Sequence, residues 1–224
     1  MQGTIQVRAV SKFYRRGSLQ QDVLNNVELA VAAGEFLSLM GPSGSGKTTL
    51  LNIMSGLDRP NAGAVVFSGA VLDEMSERAL SRWRAQNIGF IFQFYNLLAT
   101  LSARQNVELP LLLSPLGRAE RRRRAEIALD IVGLKGRGDH RSSELSGGEQ
   151  QRVAIARAIA ADPPVLMCDE PTGDLDRKSA DEILMLLTSL SRDFGKTIVM
   201  VTHDSRAAAH ADRNLVMDKG RLLG

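Results

Sequence analysis

The stretch FLSLMGPSGSGKTT, residues 36–49, decides the fold. It begins with a short, mostly apolar run, Phe36–Met40, of the kind that forms a strand buried on both faces. A glycine-rich loop follows, Gly41–Thr48, and matches the pattern G-x-x-x-x-G-K-[ST] in full. The next residues, from about Lys47 to Ser55, predict a helix that Gly56 ends. Strand, loop and helix in this order predict a phosphate-binding loop, because glycines let backbone N–H groups approach phosphate oxygens without a clash from Cβ.

Two side chains of this loop are suited to a nucleoside triphosphate. Lys47 can neutralise oxygens of the β- and γ-phosphates, and the hydroxyl of Thr48 can ligate Mg²⁺. The loop therefore predicts that the chain binds a nucleoside triphosphate together with Mg²⁺. The motif alone specifies neither the nucleotide nor the process that the nucleotide would drive.

A second apolar strand, Val165–Cys168, leads into two carboxylates, Asp169 and Glu170. Ligands of an open α/β sheet bind beyond the carboxyl ends of its strands. Asp169 is therefore placed to hold Mg²⁺ through water, whereas Glu170 is the candidate that polarises an attacking water molecule. The alternative is that both are ordinary polar turn residues before Pro171.

Two more strands end in polar residues. The run Ile88–Phe92 leads into Gln93, and the run Thr197–Val201 is followed closely by His203 and Asp204. A histidine at a strand end is often a turn residue, and an aspartate there can cap the next helix. Because several strands deliver polar groups to the edge where phosphates would bind, we expect His203 to act at the γ-phosphate.

The stretch LSGGEQQRVAIARA, residues 145–158, predicts a helix with an unusual first turn. Ser146 and Glu149 form the pattern of a capping box. Gly147 and Gly148 lie inside that turn, where each glycine costs about 1 kcal/mol relative to alanine. Adjacent glycines indicate that something approaches the backbone closely, and helix N-termini attract phosphates. The chain thus carries a second candidate phosphate site.

The order of these patterns predicts an α/β fold. Strand–helix alternation at both ends of the chain, with a helical pattern between them, indicates an α/β core with a helical insert. We expect a single domain over residues 1–224. Residues 1–93 and 162–224 would form the core with its β-subdomain, and residues 94–161 would form the helical subdomain. Together with the family resemblance that these motifs carry, the pattern implies a P-loop NTPase core of the RecA type with an antiparallel β-subdomain and an inserted helical subdomain.

Composition narrows the class of protein. The 224 residues are 44% hydrophobic and 24% charged, which is typical of globular chains. The single cysteine, Cys168, lies in an apolar run, so we expect a buried thiol and no disulfide. No apolar run reaches the length of a membrane span, so we expect a soluble, cytoplasmic chain. The basic run Arg121–Arg124 predicts a solvated helix face, and a contact with lipid headgroups or an acidic partner is the alternative.

The ordered set GPSGSGKT, Gln93, LSGGEQ, VLMCDE, GDLD and His203 resembles the nucleotide-binding subunit of an ABC transporter over nearly the whole chain. LSGGEQ is the most diagnostic part. The resemblance implies that ATP is the nucleotide and that two chains pair head to tail in an ATP-dependent homodimer. The glycines of LSGGEQ would then meet the γ-phosphate held by the partner chain.

The resemblance also assigns roles to individual residues. Tyr14 would stack on adenine, with Phe13 as the competing choice, and Gln93 would contact Mg²⁺ and sense the membrane subunit. The residues that it assigns to nucleotide binding are Tyr14, Gly41, Pro42, Ser43, Gly44, Ser45, Gly46, Lys47, Thr48, Thr49, Ser146, Gly147, Gly148 and Asp176. The residues that it assigns to the metal are Thr48, Gln93 and Asp169, and the catalytic residues are Glu170, His203 and Gln93.

A narrower resemblance points to the branch that contains the lipoprotein-releasing, macrolide-export and FtsE-like cell-division ATPases. It rests on GLDRPNAG, IGFIFQFYNLLATLSARQNVELPLLL and DEPTGDLD, although the position of Asp174 is often Asn in that branch. It implies an ATPase coupled to an integral membrane permease subunit, peripheral at the cytoplasmic face of the inner membrane, for lipoprotein release, export or mechanotransmission. The alternative is a regulatory ATPase that controls an extracytoplasmic partner without transport. We expect no nucleic-acid partner.

The stretch Phe94–Leu113 is where the resemblance places the dock for the membrane subunit. It is rich in apolar residues such as Tyr95, Leu97, Leu98 and Leu101. These side chains suit either a docking surface or the core of the helical subdomain, and the sequence does not decide between the two.

Overall fold

The computed structural model describes residues 5–17 and 19–223, and within them two sheets and a set of helices form the fold. The strands are β1 (Ile5–Arg16), β2 (Leu19–Val31), β3 (Phe36–Met40), β4 (Ala62–Phe67), β5 (Ala70–Val71), β6 (Ile88–Phe92), β7 (Val165–Asp169), β8 (Thr197–Thr202), β9 (Arg213–Asp218) and β10 (Arg221–Leu223). The α-helices are α1 (Lys47–Met54), α2 (Glu77–Asn87), α3 (Ala103–Glu108), α4 (Arg118–Ile131), α5 (Gly147–Ile159), α6 (Arg177–Arg192) and α7 (Ser205–Ala208). Short 3₁₀ turns cover Leu72–Glu74, Leu109–Leu113 and Ser142–Glu144.

The larger sheet has the strand order β10-β9-β3-β8-β7-β6. Its strands from β9 to β6 pair in parallel, and β10 pairs antiparallel with β9 at one edge. Successive residues of β7 alternate between two cores: Val165 and Met167 face one, Leu166 and Cys168 the other. Burial on both faces explains why these strands are continuous apolar runs. The Cys168 thiol is buried in this core, as expected.

The smaller sheet is antiparallel, in the order β2-β1-β4-β5. Its inward residues, among them Ile5, Val7 and Val31, join the same core as Leu37 and Leu39 of β3. This sheet therefore covers one face of the larger sheet, together with α1. The other face is covered by α5 and α6. The predicted α/β class with an antiparallel β-subdomain is confirmed.

The helices α3, α4 and α5 lie between β6 and β7, as the predicted helical insert requires. The inward face of α4 is apolar: Ala125, Ala128 and Leu129 are buried, as is Val132 just beyond the helix. No helix of residues 5–17 and 19–223 has the length and apolarity needed to cross a bilayer.

The basic run on α4 follows the expectation of a solvated face. Arg122 pairs with Glu126, and both Arg123 and Arg124 pair with Glu120, all within one or two turns of the same helix. The fourth side chain, Arg121, donates to the carbonyl of Leu116 at 2.6 Å. Two glutamates of α4 thus pair with three of the four arginines.

Candidate functional site

The loop Gly41–Thr48 has a backbone that favours glycine at three positions. Gly41, Gly44 and Gly46 have φ of +151°, +79° and +101°, where a Cβ is disfavoured. Gly41 is required for a further reason, because a methyl group there would lie 2.1 Å from the carbonyl oxygen of Met217 on β9. The loop is therefore wedged against a neighbouring strand and held in a fixed shape.

The interior of this loop has the chemistry of an anion site. The ammonium group of Lys47 is buried and donates to the carbonyls of Gly41 at 2.7 Å and Pro42 at 2.9 Å, both neutral acceptors. The buried hydroxyl of Ser45 has no hydrogen-bond partner within the part of the chain that the structure describes. A buried cation and a buried, unpaired hydroxyl are both stabilised when a phosphate enters the loop.

Asp169 at the end of β7 reaches the first turn of α1. Its Oδ1 accepts a hydrogen bond of 3.0 Å from the hydroxyl of Thr48. Burial raises the pKa of the Asp169 carboxyl, and the neighbouring Glu170 adds to the rise. A partly desolvated carboxylate beside a hydroxyl fits Mg²⁺, which is held in phosphoryl-transfer sites by few protein oxygens together with phosphate and water.

The register of the parallel strands brings the other predicted residues to the same edge. Phe92 of β6 pairs with Asp169, and Asp169 pairs with Val201 of β8. Gln93 follows β6 and His203 follows β8. These strands lie on either side of β7, the strand that Glu170 follows. The side chain of Gln93 packs against Gly173, where an added methyl group would lie 2.9 Å from Nε2.

Glu170 and His203 form a pair at this edge. Nδ1 of His203 lies 2.8 Å from Oε2 of Glu170, so the tautomer with its proton on Nδ1 donates to the carboxylate. The His203 side chain is 65% exposed and that of Glu170 is 24% exposed. Glu170 also has φ of +47°, an uncommon backbone conformation for a residue with a side chain. Its N–H donates to the carbonyl of Val201 at 3.0 Å, which ties it to β8.

Of the two aromatic candidates for adenine, Tyr14 lies nearer the loop. Its hydroxyl donates to Oδ2 of Asp58 at 2.7 Å and lies close enough to Thr49, the residue that follows Thr48, for Thr49 to act on its pKa. Its ring is half exposed, with the ammonium of Lys12 4.9 Å from the centroid. The ring of Phe13 instead lies beside the guanidinium of Arg15, 5.1 Å from its centroid.

The predicted capping box at the start of α5 is confirmed. The Ser146 hydroxyl accepts from the N–H of Glu149 at 3.3 Å, and Oε2 of Glu149 accepts from the N–H of Ser146 at 2.9 Å. The Ser146 N–H, and after it the Ser146 hydroxyl, which donates to Oε2 at 3.0 Å, lower the pKa of the Glu149 carboxyl. Ser146 and Gly147 are exposed, so the helix start is open to a ligand.

Asp176 belongs to the same neighbourhood as the start of α5. It caps α6, because its carboxylate accepts from the N–H of Ser179 at 3.1 Å and from the Ser179 hydroxyl at 2.6 Å. That hydroxyl would lie 3.0 Å from a methyl group added at Gly148. Among residues 5–17 and 19–223, no hydrogen bond joins Ser146–Gly148 to the loop Gly41–Thr49. The predicted residues thus fall into two groups within one chain.

Sequence reasoning missed a residue that connects these groups. Gln151 is fully buried, and its Nε2 donates to the carbonyls of Phe92 at 3.2 Å and Pro171 at 2.6 Å. It therefore fixes α5 to the ends of β6 and β7. A polar residue on the otherwise apolar face of α5, among Ala154, Ile155 and Ala158, was the available signal.

Comparison with known proteins identifies the family to which this arrangement belongs. A family model described as "ABC transporter" matches residues 24–173, which include the loop, Gln93, the start of α5 and both carboxylates. The chain belongs to the ABC transporter family. It is an ABC ATPase with the P-loop NTPase fold that the sequence predicts, and the resemblance to the lipoprotein-releasing and macrolide-export branch is confirmed.

Two curated relatives of this ABC ATPase cover nearly all of it. It is 48% identical over 218 residues to the lipoprotein-releasing system ATP-binding protein LolD of Chromohalobacter salexigens, covering 97% of this chain and 92% of LolD. It is 45% identical over 218 residues to the macrolide export ATP-binding/permease protein MacB of Wolinella succinogenes. That match covers 97% of this chain and 34% of MacB, so the chain spans about a third of that relative.

A solved structure resembles the ABC ATPase over almost its entire length. It is a dimeric, post-hydrolysis state of the ATP-binding cassette MJ0796 bound to ADP and phosphate. The TM-score is 0.90 at 41% identity, and the match covers 98% of this chain and 97% of the other.

Proposed function

We propose that this ABC ATPase hydrolyses ATP between two copies of itself and thereby drives a separate membrane subunit in lipoprotein release, export or mechanotransmission. The observation that carries the proposal is the convergence of the loop Gly41–Thr48, Asp169, Glu170 and His203 at one edge of the parallel sheet. The relatives named for lipoprotein release and macrolide export favour transport over the regulatory alternative.

The loop would hold the triphosphate. Its glycines leave backbone N–H groups free to face the β-phosphate, and the Lys47 ammonium would exchange the carbonyls of Gly41 and Pro42 for β- and γ-phosphate oxygens. The Ser45 hydroxyl would gain the partner that it lacks. The ring of Tyr14, anchored through its hydroxyl beside Thr49, would stack on adenine.

Thr48, Asp169 and Gln93 would hold Mg²⁺, the first two directly or through water. When bound, Mg²⁺ supplies positive charge that offsets the charge of the phosphate oxygens. Thr48 and Asp169 already share a hydrogen bond of 3.0 Å, so their oxygens lie close enough to act at one point.

Glu170 would orient and deprotonate the attacking water molecule. Its carboxylate is held on one side by His203, whose exposed ring would face the γ-phosphate with Nε2 once nucleotide is present. A positioned base of this kind contributes about 10²- to 10⁴-fold to a rate. The unusual backbone of Glu170 aims its side chain differently from that of Asp169, which separates the role of base from that of metal ligand.

The second group, Ser146, Gly147, Gly148 and Asp176, would act on the nucleotide of a partner copy. Ser146 is hydrogen-bonded to Glu149 and Asp176 to Ser179, and the helix start is exposed. In a head-to-tail dimer the N–H groups at the start of α5 would face the partner's γ-phosphate. ATP would then favour the closed dimer, because it binds that state more tightly than the open one.

The membrane subunit would dock beside the segment Phe94–Leu113. Four of its large apolar side chains are exposed: Phe94 by 65%, Leu98 by 51%, Leu112 by 57% and Leu113 by 78%. Leu113 also lines a groove of about 540 Å³ together with Arg78, Arg82 and Arg124. Exposed apolar side chains beside arginines fit an apolar segment of the partner that also carries acidic residues. The chain would thus sit peripherally at the cytoplasmic face of the membrane.

The substitution Glu170→Gln tests the proposal. It keeps the shape of the side chain but removes the base, so ATP hydrolysis should fall about 100-fold or more while ATP binding persists. ATP, but not ADP, should then convert the variant to a dimer in sedimentation analysis. Glu126→Gln, on the exposed face of α4, serves as the matched control and should hydrolyse ATP normally. Near-normal turnover by Glu170→Gln would contradict the role of Glu170.

A further inference from the structure

Tyr95 lies where the proposed docking segment meets the start of α5. Its backbone carbonyl accepts a hydrogen bond of 2.8 Å from Nη2 of Arg157, and the carbonyl of Asn96 accepts one of 2.5 Å from Nη1. Arg157 lies on α5 and is partly buried, and this burial lowers the pKa of its guanidinium. Hydrogen bonds therefore hold the first residues of the segment against α5, the helix that begins with Gly147.

The hydroxyl of Tyr95 contacts two functional elements. A methyl group added at Gly147 would lie 2.9 Å from Tyr95 Oη and 3.7 Å from Leu175 Cδ2. The carboxylate of Asp174, two residues before Asp176, lies close enough to this hydroxyl to act on its pKa. Burial, reinforced by that carboxylate, raises the pKa of Tyr95, so the phenol stays a donor at neutral pH.

Beside Tyr95, Gln151 forms a second and more rigid connection between α5 and the ends of β6 and β7. Gln151 holds the carbonyls of Phe92 and Pro171, which lie just before the docking segment and just after Glu170. Gln151 is fully buried, whereas Tyr95 is half-buried and Asp174 is exposed. Gln151 therefore fixes the starts of the two loops that follow Phe92 and Glu170. The Tyr95 hydroxyl links parts of these loops that lie further from the sheet, and a shift of the docking segment would displace those parts.

We propose that Tyr95 is a positioning residue whose hydroxyl sets the spacing between the start of α5 and the turn Gly173–Asp176. A shift of the docking segment would move this hydroxyl and, with it, the residues that face the partner's nucleotide. The inference rests on the proposed function. It also gives Gly147 a role inside its own chain, because glycine there makes room for the Tyr95 hydroxyl.

Paired substitutions test the contact with Gly147. Gly147→Ala should hydrolyse ATP poorly, because its methyl group would meet Tyr95 Oη. Adding Tyr95→Phe leaves Cζ, 3.9 Å away, as the nearest ring atom, which is an ordinary contact. The double variant should therefore recover to the rate of Tyr95→Phe alone. Gly148→Ala is the matched control, since its methyl group meets Ser179 at 3.0 Å and Tyr95→Phe should not rescue it.

A double-mutant cycle tests the contact with Asp174. Tyr95→Phe and Asp174→Ala should each lower kcat about fivefold, the loss expected of one hydrogen bond, with KM for ATP unchanged. The double variant should be no worse than either single variant. Asp174→Asn keeps an oxygen acceptor and should retain kcat. A loss of packing alone would instead lower the melting temperature and would not be spared by Asn.

Three results would overturn the inference: full activity of Gly147→Ala, failure of Tyr95→Phe to rescue it, or additive effects of Tyr95→Phe and Asp174→Ala. All are measured against the ATPase rate of the unmodified chain. If that chain did not hydrolyse ATP at all, the proposed function itself would fail. The two failures are therefore distinguishable.

Discussion

Glu170 shows how a single residue is held in an unfavourable state at the candidate site. Its φ of +47° lies in a region that costs a residue with a side chain about 1–2 kcal/mol. The surrounding structure enforces it, because its N–H is bound by Val201 and its carbonyl by the N–H of Gly173. Strain of this kind concentrates at functional sites, which supports the assignment of Glu170 to catalysis.

The strain makes a prediction about stability. Glu170→Gly and Glu170→Ala both remove the carboxylate, but only glycine relaxes the backbone. We expect the free energy of unfolding of Glu170→Gly to exceed that of Glu170→Ala by about 1 kcal/mol. Denaturant unfolding of the nucleotide-free variants measures the difference. Equal stability would show that the backbone at this position is unstrained.

The buried carboxylate of Asp169 is a second feature that lowers the free energy of unfolding, and its effect depends on pH. Because burial raises the pKa of its carboxyl, the ionised form is less favourable in the folded chain than in the unfolded chain. At neutral pH the charge therefore lowers the free energy of unfolding, and this penalty disappears as pH falls through the raised pKa. In the proposed function, bound Mg²⁺ would offset this penalty by stabilising the Asp169 carboxylate.

We therefore expect Asp169→Asn to melt at a higher temperature than the unmodified chain at neutral pH, in the absence of nucleotide. The amide removes the charge but keeps an acceptor for the Thr48 hydroxyl. The gap in melting temperature should narrow as the pH is lowered. The same variant should lose Mg²⁺-dependent hydrolysis. A variant that melts below the unmodified chain, or a gap that widens in acid, would contradict this account.

At the scale of elements, the proposed docking segment Phe94–Leu113 has one side packed on the core and another side exposed. Leu97 packs against the core of the helical insert, whereas Leu98 is exposed. The buried Asn106 holds the turn between Leu98 and α3. Its side chain accepts a hydrogen bond from the N–H of Leu98 at 2.8 Å and donates to three nearby carbonyls. The segment thus has an anchored inner side and a free outer side.

The neighbouring leucines provide a matched pair of substitutions. Leu98→Asp should leave the melting temperature and the ATPase rate of the isolated chain nearly unchanged, since its side chain already meets water. In detergent extracts it should weaken co-purification of the membrane subunit. Leu97→Asp should instead destabilise the fold by several kcal/mol, because it buries a charge without a partner. Unfolding of Leu98→Asp would show that the outer side also belongs to the core.

Strands and helices with a clear pattern of apolar residues were predictable from the sequence, and those without one were not. Strands β3 and β6 have the predicted bounds because they are apolar runs bounded by polar or glycine residues. Helix α2 was missed because Leu80 is its one fully buried residue, so no apolar stripe is visible. The hairpin β9–β10 was missed too, although Lys219 and Gly220, both with positive φ, are the residues of a tight turn.

The candidate site was predictable as far as its motifs extend. The loop, the carboxylates and the helix cap are local patterns with a local chemical meaning. The contact of Tyr95 with Gly147 joins residues about 50 positions apart, counted along the chain, and depends on a single hydroxyl. Pattern and propensity do not report such contacts, because they are decided by tertiary packing.

At the scale of the whole molecule, one chain holds two half-sites. The loop Gly41–Thr48 with Glu170 and His203 forms the half that would hold ATP and activate water. The start of α5 with Asp176 forms the half that would face a partner's ATP. By the proposed function the chain would need both halves, yet no hydrogen bond between them is formed within the described residues. Head-to-tail pairing of two copies would resolve this separation, and the similar cassette MJ0796 was solved as a dimer.

Mixing two inactive variants tests this central claim most directly. Lys47→Ala disables the first half-site, and Ser146→Asp disables the second by placing a negative charge against the γ-phosphate, while aspartate still caps α5. Each variant alone should lack ATPase activity, and its melting temperature should confirm that it is folded. A mixed dimer contains one intact site, formed by the loop of the Ser146→Asp chain and the helix start of the Lys47→Ala chain. We predict that mixing restores ATP hydrolysis; a mixture as inactive as its two components would contradict the shared site.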